Sequence, residues 1–169
     1  LDALIRSYEP TISASLGGLK PALVWQKEPA HWVLQTGAVR ENTEKPYREF
    51  AERVEAHKTS LLDLLDRLKN DGKKIIGYGA STKGNVLLQY CGIDTRYLEC
   101  IAEVNEQKFG SYTPGTLIPI VSEAEAKAMK PDYLFVLPWH FRNNILGREK
   151  EYRAGGGKFI FPLPFIEIV

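Results

Sequence analysis

The chain has 169 residues, a length that suits one domain, or one domain with a helical or extended annex, and a core of that size needs no disulfide or metal staple. Hydrophobic residues make up 44% and charged residues 25%, with a net charge of +1, the balance of a soluble globular protein with nothing to draw it to nucleic acid or a membrane. No apolar run is long enough to span a bilayer and no cleavable leader is recognisable, so the expected location is the cytoplasm. Cys91 and Cys100 lack metal-ligand spacing and read as buried thiols of a cytosolic protein. The first residue is Leu1 rather than Met, which reads as a piece of a longer polypeptide.

In chain order, "LDALIRSYEP" reads as a short helix stopped by Pro10, and "ALVWQ" and "HWVLQTGAV" as strands interrupted by Pro21 and Pro29. Residues 1–44 form an extension or interdomain segment, and residues 45–169 a Rossmann-like domain. That domain opens with Pro46 in a first helical turn. Tyr47, Phe50, Val54, His57, Leu61, Leu64, Leu65 and Leu68 then recur at helical spacing, and Asn70 and Gly72 end a long amphipathic helix.

From Lys73 the pattern alternates. "KIIGYG" is a strand, Lys83 to Tyr90 a helix, "YLECIAEV" a strand, "PGTLIPIVS" an extended segment and "EAEAKAM" a short helix before Pro131. "DYLFVLPW" is a buried strand, "RNNILGREKEYRAG" a helix and "KFIFPLP" a further strand, with "FIEIV" closing the chain. Strands alternating with helices imply parallel pairing through crossover helices. The expected fold is therefore α/β, a doubly wound, Rossmann-like parallel sheet preceded by the long helix.

Ligands of such sheets collect at the carboxyl ends of the strands, where the strand order reverses. Three segments converge there: the loop Gly77 to Asn85, the stretch "EVNEQKFGSYTPGT" and the cluster "LPWHF". The first loop fits neither standard phosphate fingerprint. Lys83 precedes Gly84, whereas a P-loop ends Gly-Lys-Ser/Thr, and Thr82 stands where the dinucleotide motif has its third small residue. Gly77 and Gly79 permit close backbone approach, Ser81, Thr82 and Asn85 offer hydrogen bonds, Lys83 offers a cation, and the helix start favours an anion. The competing reading is a turn that only packs the helix on the sheet. Glu103 lies near the position of a ribose-binding acid, but the altered third glycine position weakens the case for NAD. His140 is open to proton donation, phosphate binding or helix capping, and Trp139 to ring stacking or packing. His57 reads as a packed interface histidine, and His31 carries no assignment. No metal, Ser-His-Asp or Cys-His constellation and no acid/base carboxylate pair is visible.

The segments "GYGASTKGNVLLQYCGI", "VNEQKFGSYTPGTLIPI", "KPDYLFVLPWHFRNNI" and "GGGKFIFPLP", in that order and spacing, resemble the C-terminal domain of S-adenosylmethionine-dependent sugar-nucleotide C-methyltransferases, from about Tyr47 to Val169. The resemblance implies a longer enzyme with a cysteine-ligated zinc in its N-terminal portion, a central S-adenosylmethionine domain, and this domain on the substrate side. The implied chemistry is removal of a proton beside the 4-keto group of an NDP-deoxysugar, followed by attack of the enolate on the donor methyl. The upstream cysteine cluster and a second glycine-rich turn are missing from this chain. The expectation is accordingly that zinc, S-adenosylmethionine and every catalytic residue belong to the rest of the polypeptide, and that this chain alone is inactive. Tyr78, Gly79, Ala80, Ser81, Thr82, Lys83, Gly84, Asn85, Trp139 and His140 carry over as candidate substrate contacts. The expected partners are the NDP-sugar and the S-adenosylmethionine-binding domain of the same polypeptide. A rival reading is a stand-alone nucleotide- or CoA-binding module without chemistry.

Overall fold

The computed structural model describes residues 44–169 together with two short strands, β1 (Ala22–Leu23) and β2 (Leu34–Gln35). The expected helix before Pro10, and His31, lie outside the described residues. The chain divides into two compact units, residues 1–55 and 56–169. In the first, β1 and β2 pair antiparallel, Ala22 opposite Gln35 and Leu23 opposite Leu34, inside the two segments expected to be strands.

Helix α1 (Glu44–Asn70) begins with Pro46 in its first turn, where a missing N–H costs nothing. It ends where Gly72 takes a left-handed φ of 68° and the N–H of Lys73 reaches back to the carbonyl of Leu68 at 2.9 Å. The apolar stripe is buried only over its second half: Leu61, Leu65 and Leu68 are in the core, whereas Tyr47 and Phe50 are 72% and 58% exposed. Leu64 is half-buried at the edge of the core rather than within it.

Unit 56–169 is built on β3 (Ile75–Tyr78), β4 (Ile101–Glu103), β5 (Ile120–Ser122), β6 (Tyr133–Val136), β7 (Lys158–Phe161) and β8 (Glu167–Ile168), in the order β5-β4-β3-β6-β7-β8. The first five strands are parallel, which fits the expected doubly wound class, and the order reverses between β3 and β6. The last strand departs from the expected parallel pairing: β8 runs antiparallel to β7, because the connection after Phe161 holds no crossover helix. Strand periodicity sorts the core onto two faces. Ile75, Tyr133 and Phe135 pack with Leu61, Leu65, Leu68, Leu87 and Leu88, while Ile76, Tyr78, Leu134 and Val136 pack with Ala126, Ile145 and Phe159.

The crossover helices are α2 (Thr82–Cys91), α3 (Glu123–Ala128), α4 (Arg142–Arg148) and α5 (Lys150–Ala154). Two expected elements are shorter than their patterns. The strand expected over "YLECIAEV" is reduced to three residues, because Asp94 folds its beginning into a turn: its side chain accepts the N–H of Arg96 and its carbonyl accepts those of Tyr97 and Leu98. The helix expected over "RNNILGREKEYRAG" breaks at Glu149, which leaves helical geometry (φ −97°, ψ 35°) with its carboxylate buried.

Candidate functional site

A cleft of about 340 Å³ opens at the carboxyl ends of β3, β4 and β6, the place that the winding of the sheet dictates. Its floor is Tyr78 and the turn Gly79-Ala80-Ser81, and its walls are Glu103 and Val104 on one side and Pro138, Phe141, Ile145 and Arg148 on the other.

The turn is shaped by two glycines. Gly79 has φ 78°, and a Cβ there would lie 2.8 Å from Pro138 Cγ, so the exits of β3 and β6 touch. Gly84 supplies the close helix–strand packing that the third glycine of a dinucleotide fingerprint supplies: a Cβ on it would meet Leu137 Cβ at 2.4 Å. The fingerprint is therefore stretched by two residues, with Thr82 opening the helix. Ser81 caps that helix, its hydroxyl accepting the N–H of Gly84 at 3.0 Å. Among the described residues the N–H groups of Thr82 and Lys83 have no acceptor, as expected of a first helical turn.

Glu103 ends β4 and is 6% exposed. Its Oε1 accepts the N–H groups of Val104 (2.8 Å) and Asn105 (3.1 Å), and its Oε2 accepts the N–H of Ala80 (3.0 Å) and the Lys108 ammonium (3.0 Å). Burial works against its charge, but the N–H of Asn105, the Lys108 ammonium and the N–H of Val104 outweigh it and hold the carboxyl below its ordinary range. Lys108 also donates to the carbonyl of Ala80 at 2.8 Å, so the motif "EVNEQK" ties the glycine turn to β4. Asn105 caps the following 3₁₀ turn, Glu106–Lys108.

Behind Tyr78 lies a second polar group. The Tyr78 hydroxyl donates to Glu149 Oε1 at 2.8 Å and accepts from Arg148, which also bonds Glu123. Lys127 closes the cluster on Glu149 Oε2 at 2.8 Å and Glu123 at 3.7 Å. Burial raises the pKa of Glu123, and the Glu149 charge adds to the rise against the pull of Lys127. Two carboxylates against two partly exposed cations make a charge-balanced network around the buried Glu149, and the bend at Glu149 is what turns its side chain inward. Among the described residues Arg148 is the one basic residue lining the cleft.

Of the candidate contacts, Tyr78, Gly79, Ala80 and Ser81 line the cleft. Thr82, Lys83, Gly84 and Asn85 belong to helix α2 beside it; Thr82 and Lys83 are exposed, and Asn85 holds a buried Oδ1 without a partner among the described residues. Trp139 packs against both faces of the core, and exposed His140 stands edge-on to it with ring centroids 6.1 Å apart. Neither lines the cleft, whereas the adjacent Phe141 does. Reasoning from sequence passed over Phe141, Arg148, Glu123 and Glu149. The last three looked like ordinary charges on helix faces, and the signal that distinguishes them is the break at Glu149, which periodicity does not carry. Among the described residues no group of three or more His, Cys, Asp or Glu side chains is placed to hold a metal.

A mostly parallel sheet in this order, with a cleft at its reversal point and a glycine turn as its floor, defines a Rossmann-like α/β domain. Residues 28–164 match the family described as the C-methyltransferase C-terminal domain. Over 118 residues, 70% of this chain, it is 39% identical to the C-methyltransferase NovU of Streptomyces niveus, of which it spans 28%. The chain belongs to the C-methyltransferase C-terminal domain family.

Proposed function

We propose that this domain holds the nucleotide-sugar substrate of a C-methyltransferase that takes its methyl group from S-adenosylmethionine, with the donor site and the catalytic base in the remainder of the polypeptide. The reading rests on family membership and on one observation above the others: a small-molecule-sized cleft whose turn and helix start lie at the reversal point of the sheet. The carboxylates that line the cleft support a binding role over a catalytic one: Glu103 is taken by four donors, and Glu123 is paired with Arg148 and Lys127. The 4-keto-deoxysugar class follows from the resemblance of the motifs. The cytoplasm suits such a substrate, and no described helix is long and apolar enough to cross a membrane.

The test is a pair of titrations on the 169-residue chain, one with S-adenosylmethionine and one with an NDP-4-keto-6-deoxysugar, together with an assay for methyl transfer between them. Sugar-nucleotide binding, no donor binding at micromolar concentration and no transfer are expected. A micromolar dissociation constant for S-adenosylmethionine overturns the division of labour.

A further inference from the structure

Glu103 stands where sheets of this winding present an acidic side chain to the hydroxyls of a nucleotide ribose, at the end of the strand beside the glycine turn. A carboxylate has about four acceptor sites. Here Oε1 takes the N–H groups of Val104 and Asn105, and Oε2 takes the N–H of Ala80 and the Lys108 ammonium. A ribose hydroxyl reaching Glu103 would have to displace one of these four donors, either a partly buried backbone N–H or the Lys108 ammonium, which also holds the Ala80 carbonyl, and either displacement is unfavourable. The residue that would read the ribose is thus committed to holding the turn in place.

Much of what the cleft presents to a ligand is apolar, although Ser81, Asn144 and Arg148 also line it. Val104 and Phe141 are 60% and 53% exposed although both line the cleft. They leave β4 and β6, the two neighbours of β3, and so stand on either side of the Gly79–Ser81 turn. Ile145 and Pro138 continue the wall on the Phe141 side. We infer that the cleft grips the base of its nucleotide between Val104 and Phe141 and leaves the ribose hydroxyls unread, so that ribo- and 2′-deoxyribonucleotides bind alike. This rests on the nucleotide-sugar reading and adds to it the part of the ligand that this domain recognises.

Isothermal titration of the 169-residue chain with two matched pairs tests it: UDP against 2′-deoxyUDP, and thymidine diphosphate against its 2′-hydroxylated counterpart. Within each pair the dissociation constants should agree to about threefold. Phe141→Ala, a change at an exposed ring checked for folding by circular dichroism, should weaken the nucleotides about tenfold or more through lost stacking. A preference of more than about tenfold within either pair overturns the inference, because some group then reads the 2′-hydroxyl. Phe141→Ala with unchanged nucleotide affinity overturns the base clamp. Those two results leave the nucleotide-sugar reading standing; failure of the wild-type chain to bind any of the nucleotides overturns that reading, and the inference with it.

Discussion

Replacing Glu103 with Gln keeps the shape of the side chain, removes its charge and turns one acceptor oxygen into a donor. Whichever oxygen becomes the amide nitrogen, two donors then face a donor. If it replaces Oε1, the N–H groups of Val104 and Asn105 lose their acceptor. If it replaces Oε2, Ala80 and Lys108 do, but Lys108, 42% exposed along its side chain, can turn to water. The second arrangement is cheaper and leaves one partly buried N–H, that of Ala80, unsatisfied at about 1–3 kcal/mol. The two remaining bonds become neutral ones, which adds about 1 kcal/mol. The expected loss is therefore about 2–4 kcal/mol, a large part of the 5–15 kcal/mol that holds a domain together. Urea denaturation followed by circular dichroism measures it, with an unchanged m-value as the sign that only stability has moved. Because the folded pKa of Glu103 lies below its ordinary value of 4.5, its contribution is present above that pH and is lost as pH falls through the depressed value. Glu123, with a raised pKa, opposes this trend, so the signature is a difference: acidification from pH 5 to about 3 should lower the wild-type Tm more than that of the Gln variant. A loss under about 0.5 kcal/mol at neutral pH, or parallel acid curves, would refute the clamp.

On α1, Leu65→Ala should cost about 2–5 kcal/mol, and Leu64→Ala about 1–2 kcal/mol because its side chain is only half-buried; equal denaturation midpoints would contradict the placement of the stripe. Gly79→Ala should cost about 2–4 kcal/mol, from its left-handed φ and the clash of the new methyl with Pro138, and a variant as stable as the wild type by thermal melt would show that the two strand exits do not touch. In the full-length enzyme, Lys83→Ala should raise the KM for the sugar nucleotide about tenfold with kcat little changed, the mark of an exposed cation that binds ground and transition states alike. His140→Ala should follow the same pattern in steady-state kinetics. An unchanged KM with kcat lowered about a thousandfold would instead make His140 a catalytic acid or base.

The parallel sheet was legible because its strands are buried on both faces and read as short apolar runs between glycine and proline punctuation, as "KIIGYG" and "DYLFVLP" do. The position of the cleft followed from the winding alone. What periodicity could not carry were features decided by single side chains. Asp94 shortens β4 by capping a turn, and Glu149 breaks a helix by turning inward to Tyr78. In the site, the glycine turn announced itself by composition. Phe141 did not, because the neighbouring Trp139 and His140 looked more like ligand contacts, and only the 3₁₀ turn Trp139–Phe141 decides which of the three rings borders the cleft.

In the proposed function the sugar nucleotide sits in the cleft at the ends of β3, β4 and β6. An isotope-edited NMR titration of the 169-residue chain with an NDP-sugar reads that directly, residue by residue. Saturable shifts concentrated on the amides of Gly79 to Lys83, Val104 and Phe141 are expected, with the amides of β7 and β8 unmoved. Shifts confined to another surface, or none at millimolar ligand, would contradict it.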